Sequence, residues 1–420
     1  VNFALVFFVV AWTAFEWLHS LGDLSYPWLA LGYTQLSVPS LAQSADIGGV
    51  WLVSLFVIAV NAMTSSLILH PQRRRAGILR IALLCVVMMA YGQYRLVMLG
   101  DHDSRPGFRA MLVQPSINPW KKWEGGLVDM IRTHLYLQDS VNAIEPCRLS
   151  VWSETALPFG LRKPGFEHIR DILSSTINAS GTSLLTGYVD YSYEPYTGGE
   201  QFAPPRIYNS AGVLNPFHSD IPTHHKSRLT PFGEYMPFSD AVPAIQSWLR
   251  WGVGISGWNK GEGATMVPVI NSGDTIAKVG PVICIESIYP NYVADYVRRG
   301  ADVLAVITND AWYDGTFGPR QHFAISQMRA IETRREIMRC GNTGISGFIS
   351  RTGAIRSEAV ARSYTALADL VYPSNEMTIY VLFGDWVPTL CLGIMLVILV
   401  FVRVPLSRSK AVSYTHLRAH

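Results

Sequence analysis

Four long apolar runs, residues 1–21, 50–69, 78–99 and 377–402, bracket one mixed segment of the 420-residue chain. This arrangement constrains the fold most. An apolar helix of about 20 residues spans a bilayer, and backbone in hydrocarbon must satisfy its own hydrogen bonds. Run 50–69 is the cleanest candidate. Run 1–21 is interrupted by Glu16 and His19 and opens on Val1, so the sequence reads as lacking its own start and no signal segment can be judged. Run 78–99 carries Arg80 and Arg95 near its ends, where such side chains snorkel to the interfaces. Run 377–402 is broken by Asp385 and Pro388 but keeps an apolar core over 390–402. A buried soluble helix is the alternative for each run, and four runs flanking one mixed segment argue against it. Hydrophobic residues make up 49% and charged residues 15%, with a mean hydropathy of +0.20. Those values suit a partly membrane-embedded protein. A net charge of +3 makes no case for nucleic acid.

Positive charge predicts orientation. Arg73, Arg74 and Arg75 fill the short loop between the second and third runs, and Arg403, Arg408 and Lys410 follow the last. Both clusters are expected in the cytoplasm. The chain then divides into membrane helices and loops over 1–104, N-terminally incomplete; an outer domain over 105–372, periplasmic in a bacterium; a closing membrane helix over 373–404; and a cytoplasmic tail over 405–420. Residues 411–420 show no periodicity and read as a cloning or assembly tail. The first loop, 22–46, falls outside and carries Tyr26, Trp28 and Tyr33. These suit an aromatic belt at headgroup level, or a lip that guides lipid toward the outer domain.

The outer segment alternates strands with helical patterns. Strands are predicted over 109–114, 148–152, 183–188, 207–213, 278–284, 303–309 and 344–350, and helices over 124–143, 166–177, 287–299 and 321–336. Such alternation implies an α/β layer architecture. None of the five cysteines is in CxxC or Cys/His metal spacing. Cys85 and Cys391 lie in apolar runs and read as packing residues, and Cys340 as structural. Cys284 ends a β-branched strand just before a helical pattern. The positive end of a helix favours thiolate, the nucleophilic form. Glu154 and Lys226 close strand-like runs of their own. A thiol needs a base, and an ammonium stabilises the oxyanion of acyl transfer. Singly, Glu154 also reads as an acid beside a helix N-cap, Lys226 as a surface charge and Cys284 as a core filler.

Longer motifs add to this. They run Trp152-Ser153-Glu154-Thr155-Ala156-Leu157-Pro158, then His225-Lys226-Ser227-Arg228-Leu229-Thr230-Pro231-Phe232-Gly233-Glu234-Tyr235, then Ile283-Cys284-Ile285-Glu286. Further matches are Lys122-Trp123, Thr308-Asn309-Asp310-Ala311-Trp312, Gln321-His322, Arg329-Ala330-Ile331-Glu332 and Asn342-Thr343-Gly344-Ile345-Ser346. The ordered set, covering about 1–404, resembles the nitrilase (carbon–nitrogen hydrolase) superfamily, and more closely its membrane-bound branch, the apolipoprotein N-acyltransferases. The resemblance implies a multi-pass α-helical membrane region plus a four-layer αββα sandwich. It implies Glu154 as general base, Lys226 as oxyanion holder and Cys284 as nucleophile. Glu234, Glu286 and the loop tryptophan Trp123 are implied as supporting residues. No metal or organic cofactor is implied. The implied partners are a phospholipid acyl donor, a diacylglyceryl apolipoprotein acceptor and the bilayer of the bacterial inner membrane. The implied reaction is ping-pong transfer of an sn-1 acyl chain through a cysteine thioester, the last step of lipoprotein maturation. Ile285 departs from the branch, which often has Tyr there, and this bears on the acyl pocket. Loops around Trp123 and over 252–263, with Trp251 and Trp258, read as gates for lipid or, for the second, as an ordinary connection. Two rivals stay open: a membrane-tethered amidase or nitrilase hydrolysing a small C–N substrate, and a non-catalytic scaffold on a decayed fold. The multi-helix anchor counts against the first. The occupied triad positions count against the second.

Overall fold

The computed structural model describes residues 3–100, 105–118, 126–192, 205–239, 241–242 and 257–401. Trp123, Trp251 and residues 252–256 of the 252–263 segment lie outside the described residues. The chain begins with three apolar helices, α1 (Phe3–Leu18), α2 (Ala45–Leu69) and α3 (Arg74–Leu99). Twelve strands follow among the described residues: β1 (Phe108–Gln114), β2 (Leu149–Trp152), β3 (Ser183–Ser192), β4 (Arg206–Leu214), β5 (Thr223–His225), β6 (Val267–Asn271), β7 (Asp274–Ile283), β8 (Val303–Thr308), β9 (Ile337–Gly341), β10 (Gly347–Ile349), β11 (Ile355–Glu358) and β12 (Thr365–Val371). Between them lie α4 (Leu127–Asn142), α5 (Glu167–Ser180), α6 (Pro290–Arg298) and α7 (Gly318–Thr333). Two helices close the described chain, α8 (Ile379–Phe383) and α9 (Trp386–Phe401).

The strands form two six-stranded sheets, ordered β12-β1-β2-β3-β4-β5 and β11-β10-β9-β8-β7-β6. Each has a parallel centre, β1-β2-β3 in one and β7-β8-β9 in the other, with antiparallel flanks. Side-chain alternation assigns the layers. In β1, Ala110 and Leu112 face the second sheet, while Met111 and Val113 face α4 and α5. In β8, Val303, Ala305 and Ile307 face inward, while Leu304 and Val306 face α6 and α7. A central strand covered on both faces reads as one continuous apolar run, as Val303–Thr308 does. The layers run α, β, β, α, as the resemblance implies.

Outside α6 and α7 lies a further apolar layer. Trp28, Val50, Trp51, Val53, Tyr380 and Val387 join the same core cluster as Tyr296, Met328 and Ile331. Helix α2 breaks at Gly48 and Gly49, the latter at φ +67°. Just past the break, the buried Val50 N–H donates to Glu332 Oε1 of α7 at 2.7 Å. Asp46 accepts from Arg334 at 2.6 Å and pairs with Arg95 of α3 at 2.8 Å.

Several boundaries differ from the expectations. Of four apolar runs, two form helices long and apolar enough to cross a membrane among the described residues, Ala45–Leu69 and Arg74–Leu99. Helices α1 and α9 have 16 residues each, roughly 24 Å of rise against a core of about 30 Å. The run over 377–402 is two helices. They part at Gly384 and Asp385, whose carboxylate accepts from the Trp17 and Trp51 indoles and the Tyr380 hydroxyl. The helix predicted to reach residue 336 stops at Thr333, because Arg334 takes a left-handed cap at φ +49° held by Asp46. Residues 337–341 then form β9, a strand the pattern did not show.

Candidate active site

The ends of parallel strands in layered α/β folds are where sites are built, and here several such ends meet. Glu154 follows β2, Lys226 follows β5 and Cys284 follows β7. Glycine permits one of these approaches. A Cβ on Gly187 of β3 would lie 2.4 Å from the Thr155 nitrogen and 2.8 Å from the Glu154 Cα. Only a residue without a side chain lets β3 run against the turn that carries Glu154.

Lys226 is 1% exposed and bridges two carboxylates. Its Nζ donates to Glu154 Oε1 at 2.9 Å and to Glu234 Oε1 at 2.7 Å. Asn209 Nδ2 also donates to Glu154, at 2.8 Å, and the Asn309 N–H donates to the other Glu154 oxygen at 3.1 Å. Glu234 is anchored by the Thr230 N–H and hydroxyl. Burial works to lower the lysine pKa, but Glu154 and Glu234 outweigh it and hold it well above the usual lysine range.

Cys284 sits at φ +50°, a left-handed conformation that non-glycine residues rarely take. Such a tight turn lifts the side chain off the strand and toward the neighbouring strand ends. The thiol lies close to Thr308, with Glu154 and Lys226 as its foremost charged neighbours. The expectation that a helix dipole favours its thiolate is corrected here. The residues after Cys284 form a five-residue 3₁₀ turn, and α6 starts only at Pro290. Burial and Glu154 raise the thiol pKa, and Lys226 offsets them only partly. The raised pKa favours the thiol over the thiolate.

Glu286 is fully buried and ties two pieces of the site together. It accepts from Ser227 N–H at 2.8 Å, just past Lys226, and from Ile283 N–H at 2.8 Å, just before Cys284. The Tyr292 hydroxyl donates at 2.9 Å, and His224 Nε2 lies 3.2 Å away. Burial pushes this carboxyl up, but His224 and the two backbone donors outweigh it, and its pKa is lowered.

The structure thus brings together Glu154, Lys226, Glu234, Cys284 and Glu286, while Trp123 lies outside the described residues. Sequence reasoning assigned no part to Asn209, which donates to both carboxylates, nor to Thr308. Asn209 lies in a strand with no motif around it. The Thr308–Trp312 and Gln321–His322 motifs were visible, but which atoms they touch was not. The first loop packs onto the sandwich domain. Trp28 is 7% exposed and donates to Gln321 at 2.9 Å, and the Tyr26 and Tyr313 hydroxyls lie 3.3 Å apart. With α1 and Phe317 this loop walls an apolar pocket of 580 Å³ beside the site.

The carbon–nitrogen hydrolase family model matches residues 109–372, and the model of the apolipoprotein N-acyltransferase N-terminal domain matches residues 1–63. An apolipoprotein N-acyltransferase of Chlorobaculum tepidum is 33% identical over 402 residues, covering 93% of this chain and 75% of that protein. One from Rhizobium meliloti is 32% identical over 372 residues, covering 87% and 66%. Among solved structures, Saccharomyces cerevisiae Nit3, a member of the nitrilase superfamily, aligns at a TM-score of 0.44 and 16% identity, covering 73% of this chain and 97% of that one. With its sandwich and first helices each matched by a family model, and most of its length by curated relatives, the chain belongs to the apolipoprotein N-acyltransferase family.

Proposed function

We propose that this chain transfers the sn-1 acyl chain of a membrane phospholipid, through a thioester on Cys284, to the N-terminal amine of a diacylglyceryl-cysteine on an apolipoprotein. The observation that carries this reading is Lys226 buried between Glu154 and Glu234 and electrostatically coupled to the Cys284 thiol. It occurs in a domain whose outer helices pack against the apolar helical region.

Glu154 takes the thiol proton as sulfur attacks the ester carbonyl. A neutral resting thiol suits this, since deprotonation is then coupled to attack. Lys226 holds the oxyanion as it forms. The glycerol oxygen leaves with the proton from Glu154, releasing lysophospholipid. The acceptor amine then attacks the thioester, Glu154 takes its proton, and the proton returns to the departing sulfur. Glu234 holds Lys226 in place, and Glu286 holds the Lys226 and Cys284 backbones in register. We place α1, α2, α3 and the C-terminal helices in the inner membrane as a multi-pass region. The arginine loop 73–75 then lies in the cytoplasm and the 105–372 domain in the periplasm. Both substrates carry chains in the bilayer, which gives the apolar helices and pocket a purpose.

The test is incubation of the membrane-embedded protein with phospholipid labelled in its sn-1 chain, beside Cys284→Ala. Hydroxylamine-releasable label on the first and not the second, discharged by a diacylated lipopeptide, is the expected outcome. A folded protein that takes no label from lipid but hydrolyses small amides would replace this reading with the tethered amidase.

A further inference from the structure

A second buried polar cluster ends on the nucleophile itself. Asp310, His322 and Arg339 are all buried. Arg339 donates to Asp310 Oδ2 at 2.7 Å, and Thr308 Oγ1 donates to Asp310 Oδ1 at 2.9 Å. Asp310 Oδ1 faces His322 Nδ1 at 2.8 Å, so that nitrogen carries a hydrogen. The other ring nitrogen, Nε2, lies 2.7 Å from Ser287 Oγ and 3.2 Å from the carbonyl oxygen of Cys284. Ser287 Oγ is in turn 2.9 Å from that carbonyl. Ring, hydroxyl and carbonyl form a closed triangle on the main chain of Cys284.

The connectivity Asp310–His322–Ser287 is that of a hydrolase triad, but Ser287 is 0% exposed and its hydroxyl is spent on the main chain. The cluster has a different use. Cys284 holds φ +50°, and an uncommon conformation persists only where its surroundings over-determine it. Burial and the Arg339 charge lower the His322 pKa. With a neutral ring, the single Ser287 hydrogen is shared between Nε2 and the carbonyl, so the three groups move together. Trp28 covers the far side of this ring, centroid to centroid 5.3 Å, and is pinned to the neighbouring Gln321. Trp28 comes from the loop between α1 and α2, outside the sandwich.

We propose that His322 is a positioning residue: oriented by Asp310 and clamped by Trp28, it holds the Cys284 main chain in the conformation that aims the sulfur at Glu154 and Lys226. Docking of the membrane-side loop and aim of the nucleophile are then one event. The acyl-transfer arm of the test rests on the proposed function; the chemical arm does not.

The chemical arm follows alkylation of Cys284 by iodoacetamide across pH in the full chain, with Cys284→Ala as blank. The acyl-transfer arm follows thioester formation from labelled phospholipid, separating kcat from KM. His322→Leu should slow both at least tenfold in the folded protein, with KM for lipid unchanged and the alkylation pH profile displaced. His322→Gln can offer its amide oxygen to the Ser287 hydroxyl as Nε2 does, and should recover most of the loss. A residue that merely fills space would not distinguish Gln from Leu at equal melting temperature. Folded His322→Leu with wild-type rates in both arms overturns the proposal. So do Gln and Leu variants that are equally slow. If His322→Leu does not fold, Ser287→Ala carries the test: several-fold slower alkylation supports the proposal and an unchanged rate overturns it. If wild type takes no label from lipid, the acyltransferase reading fails while the alkylation contrast still decides the role of His322.

Discussion

Lys226 shows how burial and charge combine at a single residue. It is kept fully protonated in a nearly sealed site by two carboxylates, so its ammonium is in place before an oxyanion forms. Loss of one preorganised oxyanion donor typically costs about 10²–10³-fold in rate. Lys226→Met is therefore expected to slow thioester formation by about that factor, read as the single-turnover rate of label transfer. Glu286 gives a prediction in pH. Its folded pKa is lowered, so the stability it contributes is fully present above the unfolded carboxyl value and is lost as pH falls from there through the lower folded value. Melting curves in detergent should show wild type losing stability below about pH 4.5. Glu286→Gln should be less stable at neutral pH, with a shallower slope on acidification. A residual slope is expected from Asp310, whose pKa Arg339 and His322 lower against burial.

At the scale of elements, the junction between α2 and α7 carries the strain. Gly49 takes φ +67°, and a Cβ there would lie 2.6 Å from the Tyr380 ring. Left-handed backbone alone costs a residue with a Cβ about 1–2 kcal/mol, and the ring must also move. Gly49→Ala should lower the melting temperature and loosen α2 from the Glu332 carboxylate that caps it at Val50, read as faster amide exchange at Val50. The same junction explains the misplaced end of α7. The residues Glu332-Thr333-Arg334-Arg335-Glu336 look like the wet face of a helix, yet all five are buried. Their partners are Val50 and Arg329 for Glu332, Asp46 and Gln43 for Arg334, and Arg356 for Glu336. Apart from Arg329, one turn back in the same helix, those partners come from other segments of the chain, which no local pattern reveals.

At the scale of the whole molecule, the proposed orientation makes a labelling experiment decisive. Ile144, 88% exposed at the end of α4, stands for the outer domain, and Gln72 for the arginine loop. Cysteines introduced singly at these positions, in a background whose five native cysteines are replaced, should react with an impermeant maleimide in opposite ways. Ile144→Cys should label in cells whose outer membrane alone is opened, and Gln72→Cys only after the inner membrane is broken. The reverse pattern would overturn the topology. The sequence by itself determined the alternation of the α/β domain, the apolar runs around it and the residues at the strand ends. Each of those is written in local period and residue type: period two or an unbroken apolar run in strands, an apolar run in helices, a reactive side chain where a strand stops. Only the tertiary structure decided that burial and Glu154 raise the thiol pKa, that the C-terminal run breaks at Asp385, and that the Trp28 loop folds onto the sandwich. Burial, neighbouring charge and long-range hydrogen bonds set these outcomes, and they exist only once distant segments meet.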